Sequence, residues 1–387
     1  MKIAIITDTH IGARKSSKVF HDFFEKFYDN IFFPTLEERG ITTCIHMGDA
    51  FDNRKNIDFW ALNWAKRKVY DRFKKMGIKI YQLVGNHDVY YKNTNEINAV
   101  ESLLDDYDNI TSISSAGSYK IGKSNFFMIP WICADNYDDT KSKISRTKCK
   151  VAFGHLEVNG FQAHRGFVME HGMEKSFFDT FDTGFSGHSL PRKNDGKFFY
   201  LGSPYEMYWN DVNDRRGFHI FDTETYDFEF IENTYTIFEK VYYDDTNATL
   251  FNATKFKDKH VKVIVRKKTN QLQFEKFLDK IIKVGAIDVK IVENFALNDE
   301  EVDFSKDEGE DTLTILNKYI EDSDFDLSKE IYYSNVFNNI VTFTDNTLFN
   351  KYHLKFLQEI VDTNSKVVTG YFYLTPSDIN NLSFKKQ

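Results

Sequence analysis

Polar side chains that could hold metal ions follow several apolar runs in this 387-residue chain. Each run ends as a buried strand would end, and in open α/β sheets the carboxyl ends of strands can converge on one site. Carboxylates and imidazoles together are typical ligands of divalent first-row metals, and the lack of thiolates argues against a structural zinc site. These ends are Asp8 and His10 in IAIITDTH, Asp49 and Asp52 in CIHMGDAFD, Asn86 and His87 in YQLVGNHD, His155 in VAFGH and His188 in GFSGH.

The tetrapeptide GNHD at residues 85–88 is the most specific signal, because it places an amide, an imidazole and a carboxylate in succession after a buried strand. A single histidine after an apolar run is more often structural, but five polar strand ends in this order are not explained by turns. They predict two divalent ions that share a carboxylate such as Asp49, activate a water molecule and clamp a phosphate. An imidazole without a metal, such as His87, would protonate the leaving oxygen or stabilise the transition state. Glycines that let the backbone turn precede these residues at Gly48, Gly85, Gly154 and Gly187.

The elements that must position these residues alternate between strands and helices through about residue 235. Apolar runs at KIAIITD, TTCIHMGD and KIYQLVGN are separated by amphipathic stretches at residues 17–39 and 59–76, each followed by a glycine. This order predicts a sheet with helices on its faces. The later runs NFFMIPW, KVAFGH, TGFSGH and KFFYLGS lie closer together and predict a second sheet, and we expect a hairpin around residues 223–225.

The pattern changes near residues 235–246. A basic, strand-like segment at residues 255–268 precedes a short amphipathic helix at residues 274–284, and together they predict a small second domain. Residues 298–326 hold twelve Asp and Glu against two Lys, as a solvated linker would. Residues 348–361 favour an amphipathic helix with Leu354, Leu357 and Val361 on one stripe. We therefore predict domains at 1–240, 241–297 and 298–387.

Composition limits the class of protein. With 41% hydrophobic and 28% charged residues, the chain resembles soluble globular proteins, which excludes disorder as a whole. The net charge of −8 gives no global attraction to nucleic acid, although a local basic patch around metal ions can serve instead. Three cysteines without metal-ligand spacing indicate a reducing compartment. The first apolar run is too short for a signal peptide or a membrane span, so we predict a cytoplasmic protein without membrane attachment.

The motif order DTH, GDAFD, GNHD, GH and GH resembles that of the calcineurin-like metallophosphoesterases. Longer segments are similar to one branch of them, the nuclease subunit of SbcCD-type DNA-repair complexes in its T4-like bacteriophage form. The resemblance covers most of residues 1–245 with high specificity and the remainder only loosely. The segments that carry it are GITTCIHMGDAFDNRK, LVGNHDVYYKN, IPWICADN, GHLEVNGF and YLGSPYEMYWNDVNDRRGFHIFDTET.

This resemblance implies an α/β fold, a two-sheet αββα sandwich with a small α+β capping domain over the DNA. A C-terminal helical segment would bind the coiled-coil base of an ABC-type ATPase, and the protein would be a homodimer within a heterotetramer. The implied activity is hydrolysis of DNA in recombination and double-strand-break repair, as an exonuclease on duplex ends and an endonuclease on single strands. The cofactors would be two Mn²⁺, with Mg²⁺ as the other candidate, and the location would be the cytoplasm of the phage's host.

The resemblance also implies a role for each polar strand end. His87 would be the catalytic imidazole, and Asp52 would orient it. The other six would be metal ligands: Asp8, His10 and Asp49 for the first ion, and Asn86, His155 and His188, with Asp49 shared, for the second.

The last motif departs from the family pattern. That pattern is Gly-His-x-His, with its second histidine a ligand of the first metal, but this sequence has Leu190 at that position. A leucine side chain cannot coordinate a metal, so we expect the first site to be depleted and the activity to be impaired. This departure keeps open a non-catalytic DNA-end-binding subunit as a rival function. A second rival is a small-molecule or protein phosphatase on the same fold.

The other polar and aromatic candidates favour plainer roles. The aromatic cluster of Tyr205, Tyr208 and Trp209 is expected to pack rather than to stack on a nucleotide. The basic segment at residues 255–268 fits contact with phosphates and a solvated face equally well. Of the remaining histidines we expect His164 and His171 to lie at the surface, and His21, His46, His219 and His353 to be structural.

Overall fold

The computed structural model describes residues 1–160, 172–189 and 191–293, together with the backbones of a few strands outside these ranges. Short apolar and β-branched runs form the strands, most of which are four to six residues long, as is usual in globular proteins. In chain order they are β1 Lys2–Ile6, β2 Thr43–His46, β3 Lys79–Leu83, β4 Ile110–Ile113, β5 Gly117–Ile121, β6 Ser124–Ile129, β7 Val151–Gly154, β8 Gln162–His164, β9 Phe167–Val168, β10 Thr183–Ser186, β11 Lys193–Asn194, β12 Phe198–Tyr200, β13 Gly217–Asp222, β14 Phe228–Glu232, β15 Phe238–Asp244, β16 His260–Lys267, β17 Asp288–Glu293, β18 Phe343–Thr344, β19 Phe356–Val361 and β20 Val367–Phe372.

The helices agree with the predicted amphipathic stretches. Five-residue π-helical turns at Tyr28–Phe32 and Lys66–Tyr70 join neighbouring helices, so residues 18–38 and 59–75 are each continuously helical. Within the described residues, no helix combines the length and the apolarity needed to cross a membrane. The helices are α1 Ala13–Ser16, α2 Lys18–Phe27, α3 Phe33–Glu38, α4 Phe59–Ala65, α5 Asp71–Lys75, α6 Ala99–Leu104, α7 Tyr137–Arg146 and α8 Gln271–Lys283, with single 3₁₀ turns at Lys175–Phe178, Trp209–Asp211 and Thr254–Phe256.

The first sheet has six strands in the order β14-β13-β1-β2-β3-β4. Strands β1 to β4 are parallel, so their carboxyl ends meet at one edge of the sheet. Four of the five residues of β1 are buried, as expected for a central parallel strand that is covered on both faces. Strand β13 runs antiparallel to β1 and forms with β14 the hairpin predicted around residues 223–225.

The second sheet also has six strands, in the order β11-β12-β10-β7-β6-β5. Strands β6, β7, β10 and β12 are parallel, and the two edge strands are antiparallel to their neighbours. The four later runs identified in the sequence are these parallel strands. The predicted second sheet is therefore confirmed.

The two sheets pack face to face through apolar side chains, among them Ile5, Met47, Phe153 and Phe221. Helical segments cover the outer face of the first sheet. Helix α7 and the turn at Lys175–Phe178 contribute to the core on the outer face of the second. The predicted αββα sandwich is therefore confirmed. In α2 the side chains that face the sheet recur every three or four residues, at Phe20, Phe23, Phe24 and Phe27.

A third, parallel sheet of β15, β16 and β17 has its own core. One face packs against α8 through Phe274, Phe277 and Ile281, which recur with helical spacing. The side chain of Asn270 caps this helix by accepting a hydrogen bond from Gln273 N at 3.1 Å. The strand-like segment predicted at residues 255–268 contains β16, and the helix predicted at residues 274–284 is most of α8.

The chain divides into two compact units, Met1–Glu308 and Gly309–Gln387. In the second, β19 pairs parallel with β18 and antiparallel with β20. The helix predicted at residues 348–361 is therefore wrong over Phe356–Val361, which is β19, and residues 348–355 lie outside the described residues. The run FLQEIV is too short for its apolar spacing to distinguish helix from strand, and the β-branched and aromatic run VVTGYF supplies a partner strand.

Candidate metal centre

Loops that follow strands of both sheets bring the polar strand ends together. The loops after β1 and β2 are tied by main-chain hydrogen bonds, from Asp8 N to Gly48 O at 3.1 Å and from His10 N to Asp49 O at 3.0 Å. The loop after β10 reaches them from the second sheet, because His188 N donates to both carboxylate oxygens of Asp8 at 3.1 Å. The site therefore lies where the two sheets meet.

Asp8, His10 and Asp49 form a first group of potential ligands. Nε2 of His10 lies 3.8 Å from Oδ1 of Asp8 and 3.8 Å from Oδ2 of Asp49. All three side chains are buried, and the hydroxyl group of Thr7 donates to Oδ2 of Asp8 at 2.7 Å. His87 borders the group, since ligand atoms of His10, Asp49 and His87 all lie within 4.8 Å of one another.

Asn86, His155 and His188 form a second group around the same Asp49. Nε2 of His155 lies 2.9 Å from Oδ1 of Asn86 and 3.3 Å from Oδ2 of Asp49. Nδ1 of His188 lies 2.8 Å from the same oxygen of Asn86. Asp49 thus belongs to both groups, as a carboxylate that bridges two ions would.

The atoms that converge in the second group have the chemistry of a cation shell. Nδ1 of His155 lies 2.8 Å from the carbonyl oxygen of Met47 and donates to it, so the neutral ring presents a lone pair at Nε2. That lone pair faces oxygens of Asn86 and Asp49, an arrangement that is repulsive unless a proton or a metal ion lies between them. Ligands about 2.1 Å from an octahedral ion and at right angles are about 3 Å apart. The observed separations fit this, so these residues are suited to a divalent cation.

Four residues of the site have a left-handed backbone conformation, which residues other than glycine rarely adopt. Asp8, His10, Asp49 and His188 have positive φ angles of 52°, 40°, 52° and 76°. Such strain persists where the surrounding structure over-determines it, and it is common at functional sites. Gly85 is required for a steric reason, because a Cβ there would lie 2.2 Å from Oδ1 of Asp49.

Asp52 contacts two imidazoles through different groups. Its main-chain carbonyl oxygen lies 2.6 Å from Nδ1 of His87, whereas its carboxylate lies 3.3 Å from Nδ1 of His10. The main chain of His87 donates to Oδ1 of Asp49 at 2.7 Å. The contact with His87 that the sequence led us to expect is therefore made by the main chain of Asp52, and its side chain faces His10.

Burial and charge act in opposite directions on these groups. Burial disfavours protonation of His10, but Asp52, Asp49 and Asp8 outweigh it and raise the pKa of His10 to about 9. The pKa of His155 is likewise about 9, because Asp49 outweighs the effect of burial. Burial favours the neutral form of Asp49, yet His155 and the neighbouring imidazoles hold its pKa well below its usual range. In the metal-free protein, Asp49 therefore forms ion pairs with the protonated imidazoles of His10 and His155.

Asp88 has a structural role that the sequence did not reveal. Its carboxylate accepts hydrogen bonds from Gly85 N at 2.8 Å and from Phe51 N at 3.1 Å, which ties the loop after β3 to the loop after β2. Burial, together with the Asp49 carboxylate, raises the pKa of Asp88 to about 6. The only signal in the sequence was the fourth residue of GNHD.

Trp131 was also missed as a neighbour of the site. Its ring centroid lies 5.3 Å from that of His188 and 6.3 Å from that of His155. The residue lies two positions after the end of β6, so the sequence signal was the aromatic residue at the end of NFFMIPW. This ring covers one side of the second group.

Those remaining candidates whose side chains the structure describes lie where their patterns indicated. His21, His46 and His219 are buried in α2, β2 and β13. Tyr205 stacks on Phe24 with ring centroids 3.8 Å apart, as expected for packing. His164 is described only by its backbone in β8, and Leu190, His171 and His353 lie outside the described residues.

Two sheets with acidic, amide and imidazole side chains gathered at the ends of their strands have the arrangement expected of a metal-dependent phosphoester hydrolase. The sequence profile of the calcineurin-like phosphoesterases matches residues 1–266, and the chain belongs to this family. Exonuclease subunit 1 of Enterobacteria phage T4 is 31% identical over 285 residues, which are 73% of this chain and 82% of that protein. A solved structure titled as a novel archaeal phosphodiesterase is 15% identical with a TM-score of 0.33, covering 60% of this chain and 100% of its own, a likeness too remote to bear on function.

Proposed function

We propose that this protein is a manganese-dependent DNA nuclease, an exonuclease on duplex ends and an endonuclease on single strands, in a complex for recombination and double-strand-break repair. The observation that carries the proposal is the pair of groups of potential ligands that share Asp49. Two ions that share a carboxylate suit the in-line attack of water on a phosphodiester. The similarity to a phage protein named as an exonuclease subunit supports DNA as the substrate.

Each side chain has a distinct part in this proposal. The ions, when bound, would lower the pKa of a water molecule and neutralise charge on the phosphate. His87 would act on the leaving oxygen through Nε2, because its Nδ1 is engaged by the carbonyl oxygen of Asp52. The ligands would be Asp8, His10 and Asp49 for the first ion, and Asp49, Asn86, His155 and His188 for the second.

The third sheet and its helix offer a basic surface for the phosphodiester backbone. Residues 241–293 hold eleven Lys and Arg against seven Asp and Glu, whereas the whole chain has a net charge of −8. The guanidinium group of Arg266 lies 4.2 Å from the ring centroid of Tyr242, and Tyr242 is 48% exposed. An exposed cation beside an aromatic ring suits contact with phosphates and stacking on bases. This supports a role in DNA binding for the proposed capping domain at residues 241–297.

Partners are proposed for two other parts of the chain. The acidic stretch at residues 298–326 would lead to a segment that binds the coiled-coil base of an ABC-type ATPase. A homodimer within a heterotetramer is supported by exposed apolar side chains at the start of α4 and in the loop after β3, where Phe59 is 88%, Tyr91 51% and Ile97 49% exposed. The complex would act in the host cytoplasm.

The proposal is tested by supplying three substrates with Mn²⁺, in the presence and absence of the ATPase partner. Linear duplex DNA, single-stranded circular DNA and p-nitrophenyl phosphate distinguish exonuclease, endonuclease and phosphatase activity. We expect both DNA substrates to be cut and the cutting to disappear in Asp49→Ala. Turnover of p-nitrophenyl phosphate without cleavage of DNA would make the protein a phosphatase. DNA binding without cleavage under any metal would make it a non-catalytic end-binding subunit.

A further inference from the structure

His46 is a buried residue of β2 whose two ring nitrogens face different loops of the metal centre. Nδ1 accepts a hydrogen bond from Gly48 N at 3.3 Å, in the loop after β2. Nε2 lies 2.9 Å from the hydroxyl oxygen of Thr9, in the loop after β1. One side chain thus connects the two loops that carry Asp8, His10 and Asp49.

The directions of these hydrogen bonds follow from the main-chain N–H of Gly48. A main-chain N–H can only donate, so Nδ1 of His46 carries a lone pair and Nε2 carries the proton. Nε2 therefore donates to the hydroxyl oxygen of Thr9, and that hydroxyl group donates in turn to the carbonyl oxygen of Ala50 at 3.2 Å. This series of hydrogen bonds runs from Gly48 through His46 and Thr9 to Ala50, so it starts and ends in the loop after β2. Burial, reinforced by nearby His155, lowers the pKa of His46 to about 3, which keeps the ring neutral.

The residues that His46 engages flank the ligands themselves. Thr9 lies between Asp8 and His10, and Gly48 and Ala50 lie on either side of Asp49. Thr9 is fixed from a second direction, because the hydroxyl group of Tyr205 donates to its carbonyl oxygen at 2.5 Å. A change of a few tenths of an ångström between these loops would move Asp8 and His10 relative to Asp49.

We propose that His46, in its Nε2–H tautomer, is a positioning residue that fixes the separation of Asp8 and His10 from Asp49 and thereby sets the geometry of the first metal site. The inference rests on the proposed function of this centre. It concerns the first site more than the second, because Asn86, His155 and His188 lie in other loops. Outer contacts of this kind typically contribute about 10- to 100-fold to metal affinity.

Some variants keep one of the two hydrogen bonds of His46. They distinguish a positioning role from a general loss of packing. His46→Gln places an amide N–H near the position of Nε2 and retains the bond to Thr9, whereas His46→Asn retains only an acceptor near Nδ1. Thr9→Val removes the hydroxyl group at nearly constant shape, and Thr9→Ser retains it. His219→Asn is the matched control, because His219 is also buried in the first sheet and its pKa is also lowered to about 3 by burial.

Titration with manganese, monitored by electron paramagnetic resonance, gives both dissociation constants in each variant. We expect His46→Asn and Thr9→Val to raise the weaker constant about tenfold or more and to leave the tighter one nearly unchanged. Combined, they should have no more effect than Thr9→Val alone, since that change already removes the bond that His46→Asn breaks. His46→Gln and Thr9→Ser should stay near the unaltered protein. His219→Asn should lower only the melting temperature. Equal effects of His46→Asn and His46→Gln, or unchanged constants in both, would overturn the proposed positioning role of His46.

The tautomer of His46 is measured without any metal. In ¹⁵N-histidine spectra of the metal-free full-length chain, we expect a protonated Nε2 and an unprotonated Nδ1 for His46. A proton on Nδ1 would overturn the inference whatever the metal titrations show. Failure of the unaltered protein to bind manganese, with the expected tautomer present, would instead count against the proposed function.

Discussion

The carbonyl oxygen of Asp52 lies 2.6 Å from Nδ1 of His87, while the carboxylate of the same residue lies 3.3 Å from Nδ1 of His10. The orientation of His87 therefore depends on the backbone of this loop. The ionisation and orientation of His10 depend on the side chain. A substitution of the Asp52 side chain can therefore affect His10 without affecting the orientation of His87.

Replacement of the Asp52 carboxylate should act on His10 and spare His87. In Asp52→Asn the imidazole of His10 loses a neighbouring negative charge that helps to raise its pKa, and we expect that pKa to fall in the metal-free protein. A carboxylate behind a ligating histidine also raises its basicity, so manganese affinity should fall about 10- to 100-fold. Single-turnover cleavage at saturating manganese measures the contribution of His87. A rate that collapses even at saturating metal would contradict the assignment.

Metal binding and stability of the metal-free protein should depend on pH in opposite directions. The folded-state pKa values of His10 and His155 are about 9, above the ordinary value of 6.5. Their protonation therefore stabilises the metal-free fold fully below about pH 6.5, and this contribution is lost as the pH rises through about 9. A metal ion must displace these protons, so manganese affinity should rise over the same range. Melting curves and manganese titrations from about pH 6.5 to 9.5 test both; a metal affinity that is flat across this range would refute the assignment.

Leu190 should weaken the first site. Its side chain has no atom that can coordinate a metal, and its place is that of a ligating histidine in the family pattern. We expect Leu190→His to lower the weaker manganese dissociation constant by about tenfold or more and to increase the rate of DNA cleavage. Leu190→Phe, which introduces a ring without any atom that can coordinate manganese, is the matched control. Tight binding of two ions and brisk cleavage by the unaltered protein, without gain from the histidine, would show that this position is not a ligand position.

The C-terminal unit should be dispensable for the metal centre and necessary for the partner. Gly309–Gln387 is a compact unit, and all of the proposed ligands precede it. A chain ended at Glu308, the last residue of the first unit, should therefore keep its melting temperature and its manganese binding but lose co-purification with the coiled-coil ATPase. Retention of the partner by the shortened chain would place the partner's binding surface elsewhere.

The sequence predicted those parts of the structure that depend on local pattern. Buried strands that are followed within three residues by Asp8, Asp49 and Asn86 could be recognised because an apolar run and a following polar residue are neighbours in the chain. The hairpin of β13 and β14 was recognisable for the same reason. The two-sheet sandwich followed from the spacing of the runs and from the family resemblance.

Contacts between loops could not be predicted in this way. Nothing in the sequence distinguishes Asp52 as a residue whose main chain, and not its side chain, contacts His87. The same holds for Asp88, which joins two loops, and for His46, whose pattern is that of any polar residue in a strand. The C-terminal helix was predicted wrongly because six residues of mixed apolar pattern fit both structures until a partner strand decides between them.

The most direct test of the account is the number of manganese ions bound by the unaltered protein, Asp49→Ala and His87→Ala, measured by titration with melting curves as a control for folding. Asp49 contacts both groups of ligands, whereas His87 is assigned to catalysis. We expect two ions of unequal affinity in the unaltered protein, two in His87→Ala with DNA cleavage reduced by about 10² to 10⁴, and none at comparable concentration in folded Asp49→Ala. Two ions retained by Asp49→Ala, or an ion lost from His87→Ala, would contradict a centre bridged by Asp49 with His87 outside its ligand set.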